Sequence, residues 1–245
     1  MKTRRFDIIT IFPGMFESPF GESILKRAQD ESLLEITLHN LRDFTLDKHR
    51  KVDDYPFGGG VGLILGVDPI VRAIESVKKN RHVRTILLSP RGKPFNQKMA
   101  WEFSREENLI FVCGRYEGVD ERVLNFVDDV VSVGDYVMAG GEIPTMTLVE
   151  SISRLIPGVV GDENSILDES FEENRLEHPQ YTKPREFRGL KVPGILLSGH
   201  HKKIQDWKFK ESLKKTAAVR PDLLRKKIDG ADRFENDADT KNIEI

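Results

Sequence analysis

Short apolar runs alternate with longer amphipathic stretches over the first two thirds of the chain. Three runs contain mainly apolar and β-branched residues between charged, glycine or proline residues, a pattern typical of buried strands. These runs cover residues 6–12, 84–90 and 109–114. Apolar and polar residues alternate over 33–40, which predicts a less buried strand, and 130–138 is a fifth candidate.

The stretches around these runs have apolar residues at the three-to-four-residue spacing of an amphipathic helix. The predicted helices cover 20–31, 67–79, 95–107, 118–126 and 142–156. Strands that alternate with helices are typical of an α/β domain with a mainly parallel sheet. Ligands of such sheets bind at the loops beyond the carboxyl ends of the strands. The sequence therefore predicts a site in those loops.

The pattern changes after Pro157. Residues 158–174 are acidic and polar without a sustained period, which indicates a linker or loop. Connections of this length are uncommon unless they are functional or disordered. Two basic helical patterns follow, near 201–215 and 221–228, before an acidic tail.

We therefore predict two domains and a linker. The α/β domain covers 1–160, the linker 161–180, and a smaller helical domain with the acidic tail 181–245. The whole chain has 38 Lys and Arg against 40 Asp and Glu, so it is not a general polyanion binder. Residues 182–227, however, contain fourteen Lys and Arg and four Asp and Glu, an excess of ten positive charges. Such a surface suits a nucleic-acid backbone, with an ordinary solvated helix surface as the alternative.

Cysteine usage indicates the compartment. Cys113 is the single cysteine, so neither an internal disulfide nor a thiolate metal site can form, and we expect a reducing cytoplasm. Because Cys113 ends an apolar strand, we interpret it as a buried structural thiol.

His200 and His201 are adjacent and poorly placed to bind one metal together, so no metal site is predicted. No apolar run approaches the roughly 20 residues of a membrane helix.

Three loops at predicted strand ends are rich in glycine, proline and serine: 87–92, 113–123 and 132–144. Backbone amides and carbonyls in such loops can bind an adenine edge and ribose hydroxyls without interference from long side chains. Three such loops at consecutive strand ends predict one cofactor site.

A further glycine-rich segment covers residues 53–62, DDYPFGGGVG. It lacks the spacing of the known phosphate-binding loops, so we interpret it as a tight turn where backbone segments approach closely. Asp53 and Asp54 either contact substrate or cap that turn.

The segments CGRYEGVDERV and SVGDYVMAGGEIPTM resemble the signature of the TrmD-type tRNA (guanine-N1)-methyltransferases, which belong to the SPOUT class. Further segments match the family in the same order, so the resemblance covers nearly the whole chain. They are FDIITIFPGMF, VDDYPFGGGVG, SRLIPGVVG, PQYTKP, VPGILLSGHH and RPDLL.

This resemblance implies a fold and a reaction. It implies a trefoil knot of the backbone towards the carboxyl-terminal side of the α/β domain and a homodimer whose active sites are each built from two subunits. The expected reaction transfers methyl from S-adenosylmethionine to N1 of guanosine 37 in tRNAs with guanosine 36. Some members use magnesium with their RNA. The positions that match the family's cofactor loops are Leu87, Ser89, Pro90, Gly114, Tyr116, Glu117, Val133, Gly134, Asp135, Tyr136, Val137, Met138, Gly140, Gly141 and Pro144.

Methylation of guanine N1 requires a base for the N1 proton and a cation near O6. The resemblance gives the second role to Arg154. The family's base is an aspartate directly before a Ser-Phe pair, where this chain has Glu169, with Asp168 one residue earlier. The extra methylene displaces the carboxylate by roughly 1 Å, an error that can cost about 10²-fold in rate. We favour Glu169 and retain Asp168 as the alternative.

The chain also departs from the family at Arg91, Asn174, Arg175 and His200. These departures affect the expected tRNA contacts more than the cofactor loops. They leave two alternatives to the predicted function. One is a SPOUT methyltransferase that acts on another RNA site. The other is a catalytically impaired relative that binds RNA.

Overall fold

The computed structural model describes residues 2–79, 81–162, 166 and 169–224. Asp168, the acidic tail and the end of the predicted helix near 221–228 lie outside the described residues. The chain divides into two compact units, Met1–Glu163 and Asn164–Ile245. The roles assigned above to the predicted domains stay predictions.

The strands of the first unit are β1 (Arg4–Thr10), β2 (Leu34–Asn40), β3 (Asp53–Asp54), β4 (Ile64–Leu65), β5 (Arg84–Pro94), β6 (Asn108–Cys113) and β7 (Asp129–Ser132). Five of them form a parallel sheet with the order β2-β1-β6-β5-β7. The two short strands β3 and β4 form a separate antiparallel pair. The parallel sheet confirms the predicted α/β class. The knot concerns how the backbone threads, and it stays a prediction.

Helices connect the strands as the hydrophobic periodicity predicts. They are α1 (Glu17–Phe20), α2 (Ser23–Asp30), α3 (Val67–Lys78), α4 (Gln97–Ser104) and α5 (Glu142–Ser153). Short 3-10 helices cover Pro13–Phe16, Leu41–Asp43 and Glu121–Phe126. The prediction of a helix over 118–126 was therefore too long, since 118–120 form a loop before the 3-10 turn.

The predicted strand over 130–138 was also too long. β7 ends at Ser132, and the backbone then turns at Gly134, whose φ is +153°. Tyr136 and Val137 are exposed, because the chain after β7 forms a loop rather than a ladder. Apolar composition alone does not separate a strand from the apolar loop that follows it.

The central strands are apolar on both faces, as parallel strands covered by helices must be. Phe6 in β1 and Phe111 in β6 are fully buried and make an edge-to-face contact with ring centres 5.7 Å apart. α3 belongs to the hydrophobic cluster on the opposite face, through Ile70 and Ile74. These contacts hold the sheet while its carboxyl edge remains available to loops.

A buried charge on β1 interrupts this apolar core. The Asp7 carboxylate in β1 is fully buried, 2.8 Å from His39 Nε2 and 3.2 Å from Arg5 Nε. Arg81 Nη2 lies 3.5 Å away. Burial opposes ionisation, but the hydrogen bond with His39 and the charge and hydrogen bond of Arg5 outweigh it, so the pKa of Asp7 is lowered.

The ladder between β5 and β7 is irregular between Leu88 and Lys93. Gly92 lies in this irregular stretch. A Cβ atom built there would lie 2.4 Å from the Val131 nitrogen and 2.5 Å from the Val130 carbonyl carbon. Only glycine therefore allows the two backbones to approach so closely.

The second unit is mainly irregular, with one long helix, α6 (His201–Val219). Two short strands, β8 (Glu186–Phe187) and β9 (Leu190–Lys191), form an antiparallel pair, and Gly194–Leu197 form a 3-10 turn. Within the described ranges, no helix combines the length and the apolar character needed to cross a membrane.

We predict that Gly92→Ala lowers the free energy of unfolding by about 1–3 kcal/mol, because the added methyl group displaces β7 backbone. Gly161→Ala is the matched control, since a Cβ there meets nothing within 4 Å, and it should stay within about 0.5 kcal/mol of the native chain. Urea unfolding followed by circular dichroism measures both. Equal stability of the two variants would contradict the close approach.

We predict that Asp7→Asn destabilises the protein at neutral pH and that the loss shrinks as the solution is acidified. A lowered folded pKa stabilises the fold above the unfolded value of about 3.9, and this contribution disappears as pH falls through the folded pKa. Urea unfolding at pH 7, 5, 4 and 3 gives the difference. The control is Asp30→Asn, which removes only an exposed ion pair with Lys26 and should cost less than about 1 kcal/mol. A pH-independent difference for Asp7→Asn would refute the prediction.

Candidate functional site

A cavity of about 220 Å³ lies in the first unit beside the irregular stretch of β5 and the loops that follow β6 and β7. Its lining comes from three stretches of chain, 87–91, 114–119 and 131–144. They coincide with the three segments predicted to hold a cofactor, although 87–91 lies within β5 and not in a loop after it. The carboxyl ends of neighbouring parallel strands share one edge of the sheet, so these loops meet there.

Fourteen of the fifteen residues predicted to bind the cofactor line this one cavity. Asp135 is the exception. The structure also adds seven lining residues that the sequence analysis had not assigned to the cofactor: Leu88, Arg91, Arg115, Gly118, Val119, Val131 and Ser132. All seven lie within or beside the predicted loops. Their position next to the predicted cofactor residues was therefore the only feature of the sequence that could have identified them.

Two of the loops are joined through glycine backbone. The Gly141 amide donates a 2.7 Å hydrogen bond to the Gly114 carbonyl. A Cβ at Gly141 would lie 2.9 Å from both the Cys113 Cα and the Gly114 nitrogen. Arg115 and Gly140 form an isolated antiparallel bridge beside this contact. The second and third loops therefore form one rigid wall of the cavity.

The glycine-rich segment 53–62 contains β3 and most of the connection from β3 to β4. This hairpin is fixed to the second loop, because the Glu117 amide donates to the Leu63 carbonyl and the Leu65 amide to the Gly118 carbonyl, at 3.1 and 3.0 Å. Partial burial and a hydrogen bond with Asp53 raise the pKa of Tyr116. Asp53 therefore contacts a residue that lines the cavity.

Asp54 lies differently from Asp53. Its carboxylate is exposed and forms an ion pair with Lys51 at 3.1 Å. It also accepts a hydrogen bond from the Tyr55 amide. These contacts of Asp54 are therefore with neighbouring residues of the chain, and its role stays a prediction.

A buried carboxylate supports the wall from behind. Glu142 begins α5 and is fully buried. It accepts hydrogen bonds from Thr10 Oγ1 at 2.9 Å and from Arg115 Nη1 at 3.2 Å. The Arg115 guanidinium also lies 4.8 Å from the centre of the Phe12 ring. This network connects the end of β1 with the second and third loops.

Cys113 ends β6 directly behind the second loop. Its side chain is buried, and its sulfur lies 3.2 Å from Thr145 Oγ1. Burial raises the pKa of the Cys113 thiol, which the Thr145 hydrogen bond only partly offsets. A neutral buried thiol is a poor nucleophile, in agreement with the structural role expected from the sequence.

Of the three candidate catalytic residues, the two that the structure describes belong to different units. Arg154 follows α5 as its C-cap residue in the first unit. Glu169 is half-buried in the second unit. Asp168 lies outside the described residues. The roles of all three stay predictions.

A second cavity, of about 290 Å³, lies within the second unit. It is lined by Glu169, Arg175, Leu176, Glu177, His178, Gln205, Asp206, Lys208 and Phe209. Arg175, one of the departures from the family, therefore lies in the same cavity wall as Glu169. His200 is exposed before α6.

Among the residues with described positions, no three His, Cys, Asp or Glu side chains are grouped as metal ligands. The use of magnesium with RNA, expected from the resemblance, stays a prediction.

The fold and the first cavity define an α/β protein with an open cavity at one edge of its parallel sheet. Residues 4–226 match the family model described as tRNA (Guanine-1)-methyltransferase TrmD. Over 222 residues the chain is 58% identical to a tRNA (guanine-N(1)-)-methyltransferase of Dictyoglomus turgidum, with 91% of this chain and 90% of the relative covered. It is 55% identical over 222 residues to the protein of that name from Citrifermentans bemidjiense, covering 90% and 89%. The chain therefore belongs to the TrmD family, which confirms the family and the class of enzyme predicted from the sequence.

We predict that Glu142→Ala lowers the free energy of unfolding by about 3–5 kcal/mol, because it leaves the Arg115 charge without its buried partner. The matched control is Glu121→Ala. Glu121 pairs with Arg91 at 2.9 Å, but both side chains are more than half exposed, so the loss should be below about 1 kcal/mol. Similar losses in the two variants, measured by urea unfolding, would show that the buried network does not support the fold.

Proposed function

We propose that this chain transfers a methyl group from S-adenosylmethionine to N1 of guanosine 37 in tRNAs that carry guanosine 36. The observation that carries the proposal is the clustering of fourteen predicted cofactor residues around one cavity in a chain of the TrmD family. Loops distant in sequence meet there only because the fold brings the strand ends together.

The chemistry of the first cavity fits S-adenosylmethionine. Apolar side chains including Leu87, Val137 and Met138 can cover the adenine ring, while the glycine backbone at 114 and 141 offers amides and carbonyls. The Glu117 carboxylate also lines the cavity. It can attract the positive charge that the sulfonium and ammonium groups bring to the site.

The bound methyl donor supplies an electrophilic carbon on sulfur. Guanine N1 forms its bond to that carbon as the sulfur–carbon bond breaks, and the electron pair of that bond stays on sulfur. Glu169 accepts the N1 proton, and Arg154 stabilises the negative charge that develops on O6. The proton therefore ends on the Glu169 carboxylate, and Asp168 is the alternative acceptor.

The second unit supplies the RNA contact in this proposal. Exposed lysines along α6, among them Lys202, Lys203 and Lys210, give it the positive charge that phosphates attract. The tRNA then places guanosine 37 at the catalytic residues, with magnesium accompanying the RNA.

We also propose a homodimer in which each active site takes residues from both subunits. Mixing the Arg154→Ala and Glu169→Gln variants tests this arrangement. If the two residues of one site come from different subunits, a mixed dimer keeps one intact site. Since about half of randomly reassociated dimers are mixed, about a quarter of native activity returns. Activity no greater than that of the separate variants would exclude this sharing.

We predict that the native chain transfers labelled methyl to a tRNA with guanosines 36 and 37, but not to the same tRNA with adenosine 37. Glu169→Gln should lower the rate of the chemical step by about 10²–10⁴-fold, because it removes the base. Glu169→Asp retains a carboxylate and should remain active. Single-turnover assays measure the rates.

Asp168→Asn is the matched control in this assay. A loss in Asp168→Asn with native rates in Glu169→Gln would transfer the role of base to Asp168. Label at another nucleotide would contradict the proposed target, and RNA binding without any transfer would contradict the proposed activity.

A further inference from the structure

Ser212 and Thr216 are buried polar residues one turn apart on α6, 1% and 0% exposed. Their hydroxyls bind both backbone groups of a single residue, Leu176. The Leu176 amide donates to Thr216 Oγ1 at 2.9 Å, and Ser212 Oγ donates to the Leu176 carbonyl at 2.5 Å. Side chains four positions apart in a helix are neighbours on one face. The two hydroxyls are therefore close enough to bind the amide and the carbonyl of the same residue.

The Thr216 hydroxyl both donates and accepts a hydrogen bond. It donates to the Ser212 carbonyl at 2.7 Å, the usual bond of a threonine inside a helix. A lone pair of the same oxygen accepts the hydrogen bond from the Leu176 amide. Valine at this position would keep the shape but could neither donate nor accept.

Leu176 belongs to a compact turn, residues 169–177, which we call the Glu169 turn. Its two ends are joined by hydrogen bonds: the Phe171 amide donates to the Arg175 carbonyl at 2.8 Å, and the Glu177 amide to Ser170 Oγ at 3.1 Å. Residues beside Glu169 are therefore fixed to residues beside Leu176.

Arg175 adds a side-chain contact between the Glu169 turn and α6. Its guanidinium lies 5.3 Å from the centre of the Phe209 ring, within the range of a cation–π contact. Its Nη1 atom is 3.5 Å from Ser212 Oγ, and its Nη2 atom pairs with Glu173 at 2.8 Å. Arg175, where the chain departs from the family, thus connects the Glu169 turn to α6.

From these contacts we infer that Ser212 and Thr216 are positioning residues for Glu169. The inference rests on the proposed function, in which Glu169 is the base. The hydroxyl pair fixes Leu176, the bonds within the Glu169 turn transmit that position to residues 170 and 171, and Glu169 is held in the wall of the second cavity. A glutamate in place of a shorter carboxylate needs such a fixed backbone, because errors near 1 Å can cost about 10²-fold in rate.

We predict that Thr216→Val lowers the single-turnover rate of methyl transfer by about 10- to 100-fold. The KM for S-adenosylmethionine should not change, because the first cavity belongs to the other unit. Thr216→Ser keeps the hydroxyl and should restore a nearly native rate. Thr85→Val is the matched control: Thr85 is fully buried and, within the described structure, its hydroxyl has no hydrogen-bond partner.

Two further measurements separate positioning from general destabilisation. Amide exchange in the full-length chain should show faster exchange across the Glu169 turn in Thr216→Val and native protection in Thr216→Ser. In addition, Thr216→Val should cause no further loss when Glu169 is already Gln, since a residue that acts through Glu169 has nothing left to position.

The outcomes distinguish the two levels of the proposal. A native rate in Thr216→Val, or an equal added loss in the Glu169→Gln background, would overturn the positioning role while the proposed function stands. A native chain that modifies no guanosine, or a Glu169→Gln variant as fast as the native chain, would overturn the proposed function and the positioning role with it.

Discussion

The close approach of backbone to backbone at the carboxyl edge of the sheet is the constraint on which the first cavity depends. The 2.7 Å hydrogen bond between Gly141 and Gly114 joins the second and third loops, and Gly92 lets β5 pass against β7. Side chains at these positions would separate the loops. The cavity wall is therefore largely backbone, which suits recognition by amides and carbonyls.

The structure supports this backbone wall with charge rather than with apolar packing alone. Glu142 receives hydrogen bonds from Thr10 and Arg115, so a residue at the end of β1 and a residue of the second loop share one buried carboxylate. A buried charge is tolerated because its acceptor sites are filled. The consequence is a cavity whose loops are coupled to the sheet and to each other.

In the second unit, buried polar side chains hold a segment of backbone in place. Its long helix, α6, is polar over most of its length. The buried hydroxyls of Ser212 and Thr216 bind the backbone carbonyl and amide of Leu176, as a neighbouring strand would in a sheet. The carboxylate of Glu169 lies in the same small region, beside Arg175 and Phe209. The two units thus carry the parts of the proposed chemistry separately: ligand loops and Arg154 in one, Glu169 and the basic helix in the other.

The sequence by itself determined the α/β class, the approximate strands and helices, the three segments that line the first cavity and the family, because these depend on local periodicity and on contiguous motifs. The strand predicted over 130–138 was too long, because β7 ends at Ser132. The apolar residues of the loop that follows could not be distinguished by composition from those of a strand. Only the tertiary structure decided that Glu142 is a buried anchor, that Asp53 contacts Tyr116, and that Ser212 and Thr216 hold Leu176. Those roles arise from contacts between residues far apart in sequence, and periodicity within one segment contains no information about them.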